Sequence, residues 1–217
     1  SEVYSLQIDN IVGDKDRKSK LLNAVKEFDC IRKKAEWAFK WIDDDKSSFG
    51  QRLIAFAIVE GVFFSGSFCS IFWLKKKNIM PGLCDSNELI SRDEGMHTDF
   101  ACLLYSMIQN KLDFSVVRGM FEEAVEIERQ FICESLPCSL LGMNNNLMTQ
   151  YIKFVADRLL LTLGYDKIYG SKNPFDFMES ISMEGVTNFF ESRPTQYQKS
   201  SVLNQALENQ FDISDDF

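Results

Sequence analysis

With 217 residues and a formal net charge of −8, the chain is too acidic to hold nucleic acid nonspecifically, because phosphate binding needs a basic face and none stands out. Apolar residues make up 45% of it against 11 Gly and 4 Pro, which excludes disordered and collagen-like chains and leaves enough apolar surface for one ordinary core. The six cysteines, Cys30, Cys69, Cys84, Cys102, Cys133 and Cys138, form no CxxC pair and fall largely in apolar helical runs, so they read as reduced thiols of a cytoplasmic protein.

In chain order the pattern is mostly helical. Ser1 to Ile8 reads as helix, followed by a polar turn at Gly13-Asp14-Lys15-Asp16. Lys18 to Phe28 carries Leu21, Leu22 and Val25 at helical spacing, and Ile31 to Asp45 carries Ala35, Trp37, Ala38, Trp41 and Ile42. A long apolar helix is expected from Phe49 to Lys77, closed by Met80-Pro81-Gly82. Glu60, glycines and serines interrupt it, so it is expected to fall short of the roughly 20 apolar residues that span a membrane. The next helix is expected from Asp85 to Asn110, with Asp85 and Glu88 spaced as in a capping box. Asp113 to Ser135 follows, with Glu122, Glu123, Glu126 and Glu128 expected on a solvated face, and Asn144 to Leu163 carries Asp157 and Arg158 near its end. No strand alternation and no internal repeat is evident, so the fold class is all-α. The first ten residues have neither the basic end nor the apolar core of a secretory signal. From Ser192 the helical stripe gives way to Gln, Ser, Asn and acidic residues, which divides the chain into a helical domain at 1–191 and a flexible tail at 192–217.

Two of these helices carry polar groups that an ordinary core does not tolerate. Glu60 sits alone in the apolar run from Leu53 to Phe64, and a buried carboxylate without a partner costs several kcal/mol or takes up a proton. It therefore needs an arginine, such as Arg52 or Arg92, or a metal. Glu94 and His97, the only histidine, are three apart and share a helix face. An inward Glu opposite a Glu-x-x-His is half of a carboxylate-bridged dimetal site, although an acid–histidine pair at this spacing also serves as a plain hydrogen bond. Tyr4 by itself reads as a core-edge tyrosine, and Phe64 and Phe68, four apart, as core packing. The tail's Phe211, Ile213 and Phe217 among acids suit either a disordered end or a peptide that orders in a partner's apolar, basic groove.

The strings VEGVFFSGSFCSIFWLKKKNIMPGL, SNELISRDEGMHTDFACLLY, QYIKFVADRLL, NPFDFMESISMEG and TNFFESR resemble the small, radical-generating subunit of class I ribonucleotide reductase, most closely its eukaryotic branch. The resemblance runs in order from Ser1 to Phe217. It implies a ferritin-like helical bundle in which Glu60, Glu94 and His97 are metal ligands, with two iron ions, or manganese, per intact subunit. It also implies that an Asp and a Glu-x-x-His lie upstream, the latter ending just before Ser1, so that this chain is a fragment beginning inside a helix and inactive alone. Tyr4 would carry the radical in an apolar pocket of Phe64, Phe68 and Ile90. Asp93 would orient His97, and Tyr197 would relay the radical. Phe211, Asp212, Ile213, Ser214, Asp215, Asp216 and Phe217 would dock the large catalytic subunit, and the small subunits would pair as a homodimer, with no nucleic acid and no membrane bound. Pro194, Thr195 and Gln196 depart from the family's pattern before Tyr197, where an acid is usual. Two other readings fit parts of the pattern: a noncatalytic paralogue acting as a docking or regulatory partner, and another oxygen-using ferritin-like enzyme such as a desaturase or monooxygenase, which would not require Tyr4, Tyr197 or the FDISDDF ending.

Overall fold

The computed structural model describes residues 2–42, 47–135 and 143–178. Among these the backbone satisfies itself within helices: α1 (Glu2–Ile11), α2 (Lys15–Leu22), α3 (Ala24–Glu27), α4 (Asp29–Ile42), α5 (Phe49–Gly61), α6 (Ser65–Lys76), α7 (Pro81–Met107), α8 (Phe114–Ser135) and α9 (Asn145–Thr162). No strand occurs among the described residues, as the sequence pattern leads one to expect. The boundary expected at 191/192 lies outside them.

Local chemistry sets the ends. Asp14 caps α2 by accepting from the Arg17 amide at 2.7 Å. Asn23, whose side chain donates to Ser19 O, splits the single helix expected at 18–28 into α2 and α3. At α5 a capping box closes: Ser48 Oγ accepts from Gln51 N at 3.2 Å, and Gln51 Oε1 accepts from Ser48 N at 2.9 Å. Met80-Pro81-Gly82 opens α7 rather than closing the helix before it. Met80 takes a left-handed conformation (φ 52°), and Pro81 supplies the first helical residue, where its missing N–H costs nothing. The capping box expected at Asp85 is therefore not used, because that residue already lies within α7. Asn144 caps α9, which ends with Gly164 at φ 87° and a Tyr165 N to Leu160 O bond, the left-handed closure that glycine permits.

The expected Phe49–Lys77 helix is two helices. Val62 to Phe64 form a tight turn in which Phe63 N reaches back five residues to Ile58 O at 3.1 Å and Ser65 N bonds Val62 O at 3.1 Å. The run Phe49–Lys76 also proves long and apolar enough to cross a membrane by length and composition, contrary to the expectation above, since Glu60 is the only charge between Arg52 and Lys75. Half of its apolar window is buried inside the protein, as in a core helix. Indeed α5 is the hub: it packs along α7 and touches α4, α8 and α9. Ile54, Ile58, Val62, Tyr105, Val117, Phe121, Ala124, Ile152 and Leu160 are all sealed in this core, each large apolar side chain contributing about 1.5–3 kcal/mol by leaving water.

One charged residue joins them. Glu128, expected on the solvated face of α8, is wholly buried with Val117, Phe121, Ala124, Val125 and Ile132. Its position, seven after Phe121 and four before Ile132, puts it on the apolar stripe.

Candidate metal centre

Glu60 occupies the last turn of α5, and the residue after it brings that turn close to its neighbours. A Cβ on Gly61 would stand 3.2 Å from Thr98 Cγ2 on α7 and 3.2 Å from Leu159 Cδ2 on α9. A side chain there would push α5 away from α7. The close approach sets Glu60 against Glu94 and His97, which the helical period of α7 places on one face. His97 Nδ1 is 2.8 Å from Glu94 Oε2 and 3.7 Å from Glu60 Oε2, and one ligand atom from each of the three residues lies within 4.8 Å of the others.

The electrostatics are those of a crowded acidic site. Burial, together with the hydrogen bond and negative charge of Glu94, pushes the Glu60 carboxyl up to about 7, against a smaller opposing pull from His97. The bond from Glu60 holds Glu94 below the usual carboxylate range, with His97 acting in the same sense. The His97 ring is held above its ordinary value chiefly by Glu94. The two carboxyls and the imidazole thus hold one another away from their ordinary values. Glu60 Oε2 is also buried with no hydrogen-bond partner, so one ligand atom is already stripped of water. A divalent cation can satisfy that oxygen. Two carboxylates and one imidazole make a hard, anionic donor set that suits iron or manganese better than copper. Arg92, one arginine considered for Glu60, reaches Glu88 at 3.4 Å.

The other expected site residues distribute unevenly. Tyr4 on α1 donates from its hydroxyl to Asn87 Oδ1 at 2.7 Å, while Asn87 Nδ2 donates to Leu83 O at 2.8 Å. The phenol is held above its ordinary value by burial and by the charge of Glu94, which places it within electrostatic reach of the cluster. Its residue is nevertheless 40% exposed, unlike the sealed surroundings expected. Phe64 and Phe68 are half-buried, edge to face at 6.3 Å between centroids, and Ile90 is half-buried on α7. Asp93 stands exposed, and the His97 nitrogen nearest an acid is engaged by Glu94 instead. Tyr197, Pro194 and residues 211–217 lie outside the described residues.

Sequence reasoning missed three polar groups. Asn87 is fully buried and fixes the Tyr4 hydroxyl; its position four after Leu83 and three before Ile90 could have flagged it. Asp157, 1% exposed, accepts from the amides of Ile168, Tyr169 and Ser171, each at 3.0 Å, and so gathers the segment after α9. Glu128 was legible from the α8 stripe.

A family model described as "Ribonucleotide reductase, small chain" matches residues 1–174. The ribonucleoside-diphosphate reductase small chain of Nicotiana tabacum is 57% identical over 221 residues, covering 100% of this chain and 67% of that protein. The small chain of Trypanosoma brucei brucei is 58% identical over 219 residues, covering 100% of this chain and 65% of that protein. Among solved structures, the ribonucleotide reductase Rnr4 homodimer from Saccharomyces cerevisiae aligns with a TM-score of 0.73 at 38% identity, over 84% of this chain and 59% of that one. The R2 subunit from Clostridium botulinum aligns with a TM-score of 0.69 at 18% identity, over 82% of this chain and 61% of that one, a likeness of fold alone. The chain thus spans about two thirds of the length of these relatives, or less.

Proposed function

The chain belongs to the ribonucleotide reductase small-chain family, all-α proteins of ferritin-like fold, and from that premise we propose that Glu60, Glu94 and His97 are ligands of a dimetal centre that oxidises Tyr4. The whole protein would then provide the radical with which a separate large catalytic subunit reduces ribonucleotides to deoxyribonucleotides. The observation that carries this reading is the convergence of the three side chains around one orphaned, buried carboxylate oxygen.

Iron or manganese, when bound, would supply the oxidising capacity, drawn from dioxygen, that removes an electron and a proton from a phenol. The chain's own residues prepare for it. Glu60 would hold the cation through its buried, unpartnered carboxylate oxygen. Glu94, one turn before His97 on α7, would hold the cation beside that imidazole. Asn87 receives the Tyr4 hydroxyl hydrogen and fixes the direction of the phenol O–H. Phe64, Phe68 and Ile90 offer apolar side chains that resist oxidation and exclude water, which a tyrosyl radical requires. Tyr197 would carry the radical onward, and Phe211 to Phe217 would dock the large subunit. The yeast relative was solved as a homodimer, and pairing of two copies of this chain is part of the same reading.

Manganese(II) is the direct probe, because its free-ion electron paramagnetic resonance signal disappears on binding. The chain is expected to take up Mn(II), and Glu60→Gln or His97→Ala to weaken uptake by about tenfold or more, the loss of one charged or imidazole ligand corresponding to at least ~1.4 kcal/mol. Equal uptake by the unsubstituted chain and by both variants would overturn the assignment.

A further inference from the structure

The turn that interrupts α5 and α6 begins two residues after Glu60, and it is held from outside by two charged side chains that the chemistry above does not use. In an unbroken helix Gly66 N would donate to Val62 O. Here Val62 O takes Ser65 N and, at 2.6 Å, Ser65 Oγ, while Gly66 N donates to Glu128 Oε1 at 3.1 Å. The neighbouring carbonyl, Phe63 O, accepts from Lys34 Nζ at 2.6 Å. Lys34 and Glu128 complete the arrangement by facing each other, with Nζ 2.5 Å from Oε2 at an angle outside a good hydrogen bond. Lys34 also lies over the Phe131 ring, 3.7 Å from its centroid. Each charge meets the helix end of opposite sign: the carboxylate faces the amide end of α6, and the ammonium faces the carbonyl end of α5. Gly66 is what admits the carboxylate, since a Cβ there would stand 2.8 Å from Glu128 Oε1 and 2.5 Å from Ile132 Cδ1.

We propose that Lys34 and Glu128 are positioning residues of the Glu60–Glu94–His97 centre: they pin the helix break, and so fix where α5 ends and how Glu60 is presented to α7. The inference rests on the reading of that centre given above. Stability alone is a poor reason for a buried ion pair, because an apolar pair of similar volume serves as well or better. What the pair supplies is a partner for the two backbone groups at the break, and with it removed residues 62–66 open more readily. The last turn of α5 then no longer holds the Glu60 carboxylate within the 4.8 Å cluster.

The decisive variant is the double substitution Lys34→Met with Glu128→Leu in the full chain, which leaves no unpaired charge and keeps the core apolar. Amide hydrogen exchange and Mn(II) uptake are both read at a temperature where circular dichroism shows full helix content. The expected result is a melting temperature near that of the unsubstituted chain, exchange about tenfold faster at residues 62–66 but unchanged in α7 and α8, and Mn(II) binding weaker by about tenfold. Glu128→Gln, which keeps an acceptor for Gly66, restores slow exchange at that amide. Unchanged exchange at residues 62–66 in the double variant, or faster exchange spread evenly over all helices, would overturn the proposal. So would faster local exchange with unaltered Mn(II) binding. Should the unsubstituted chain itself bind no Mn(II), the reading of the centre fails and the inference falls with it, while the exchange data still show whether the pair pins the break.

Discussion

A carboxyl sealed in an apolar core titrates against its own burial, and Glu128 shows the consequence. Burial pushes it up to about 7 from an ordinary 4.5, in spite of the opposing pulls of Lys34 and the Gly66 amide. The folded protein therefore binds this proton more tightly than the unfolded chain does. Its contribution to stability is fullest below about pH 4.5 and is lost as pH rises through 7, worth up to about 3 kcal/mol over that window. Lys34 is held below its ordinary value, chiefly by burial, so it acts in the opposite sense at alkaline pH, where deprotonation favours the fold. Urea unfolding of the unsubstituted chain and of Glu128→Gln between pH 4.5 and 7.5 checks this: the difference in midpoint should narrow or change sign as pH rises, and a constant difference would refute it. Three backbone amides converge on Asp157. Asp157→Asn turns an N–H toward at least one of those donors, and a loss of about 2–3 kcal/mol in urea unfolding is expected; a loss below about 0.5 kcal/mol would show that the segment after α9 has other anchors.

Helix ends, more than helix middles, separate what the sequence revealed from what it concealed. The helical stripes gave α4, α8 and α9 to within a few residues, and the Glu94–His97 spacing with the lone Glu60 pointed to the acidic cluster before any contact was known. The break at residues 62–64 was hidden because it is built from apolar residues that continue the pattern of α5, and because its two outside partners lie 29 residues before Phe63 and 62 after Gly66. Long-range partners leave no local mark. Pro81 was misread because a proline stops one helix and starts another equally well, and only the left-handed Met80 decides between them. The acids of α8 look alike by composition, and only their helical phase sets Glu128 apart from Glu122, Glu123 and Glu126. Gly66→Ala tests the break as an element. The added methyl meets Ile132 and Glu128 at under 3 Å, so a loss of about 1–3 kcal/mol is expected from overpacking, whereas alanine in an ordinary exposed helix position stabilises by up to about 1 kcal/mol. Thermal melting of this one variant gives the sign.

At the scale of the molecule, the three ligands proposed among the described residues do not complete two coordination spheres. The 217-residue chain loaded with ferrous iron and oxygen is accordingly expected to show little or no tyrosyl radical signal, and a strong signal would show that these residues suffice. The exposure of Tyr4 at 40% argues the same way, since a phenol open to water does not keep a radical. A synthetic peptide of the last seven residues, Phe211 to Phe217, is expected to compete with the chain for the large subunit of the reductase; absence of competition would remove the docking role proposed for that segment. The acidic cluster has one further property. Its imidazole is the only one among 217 residues, and it stands half open to solvent on α7. In a proton magnetic resonance spectrum the whole protein therefore contributes a single histidine ring, with no assignment problem to solve. A paramagnetic ion in the cluster would broaden that one pair of lines first, so the occupancy of the centre can be followed in the unsubstituted protein without a label.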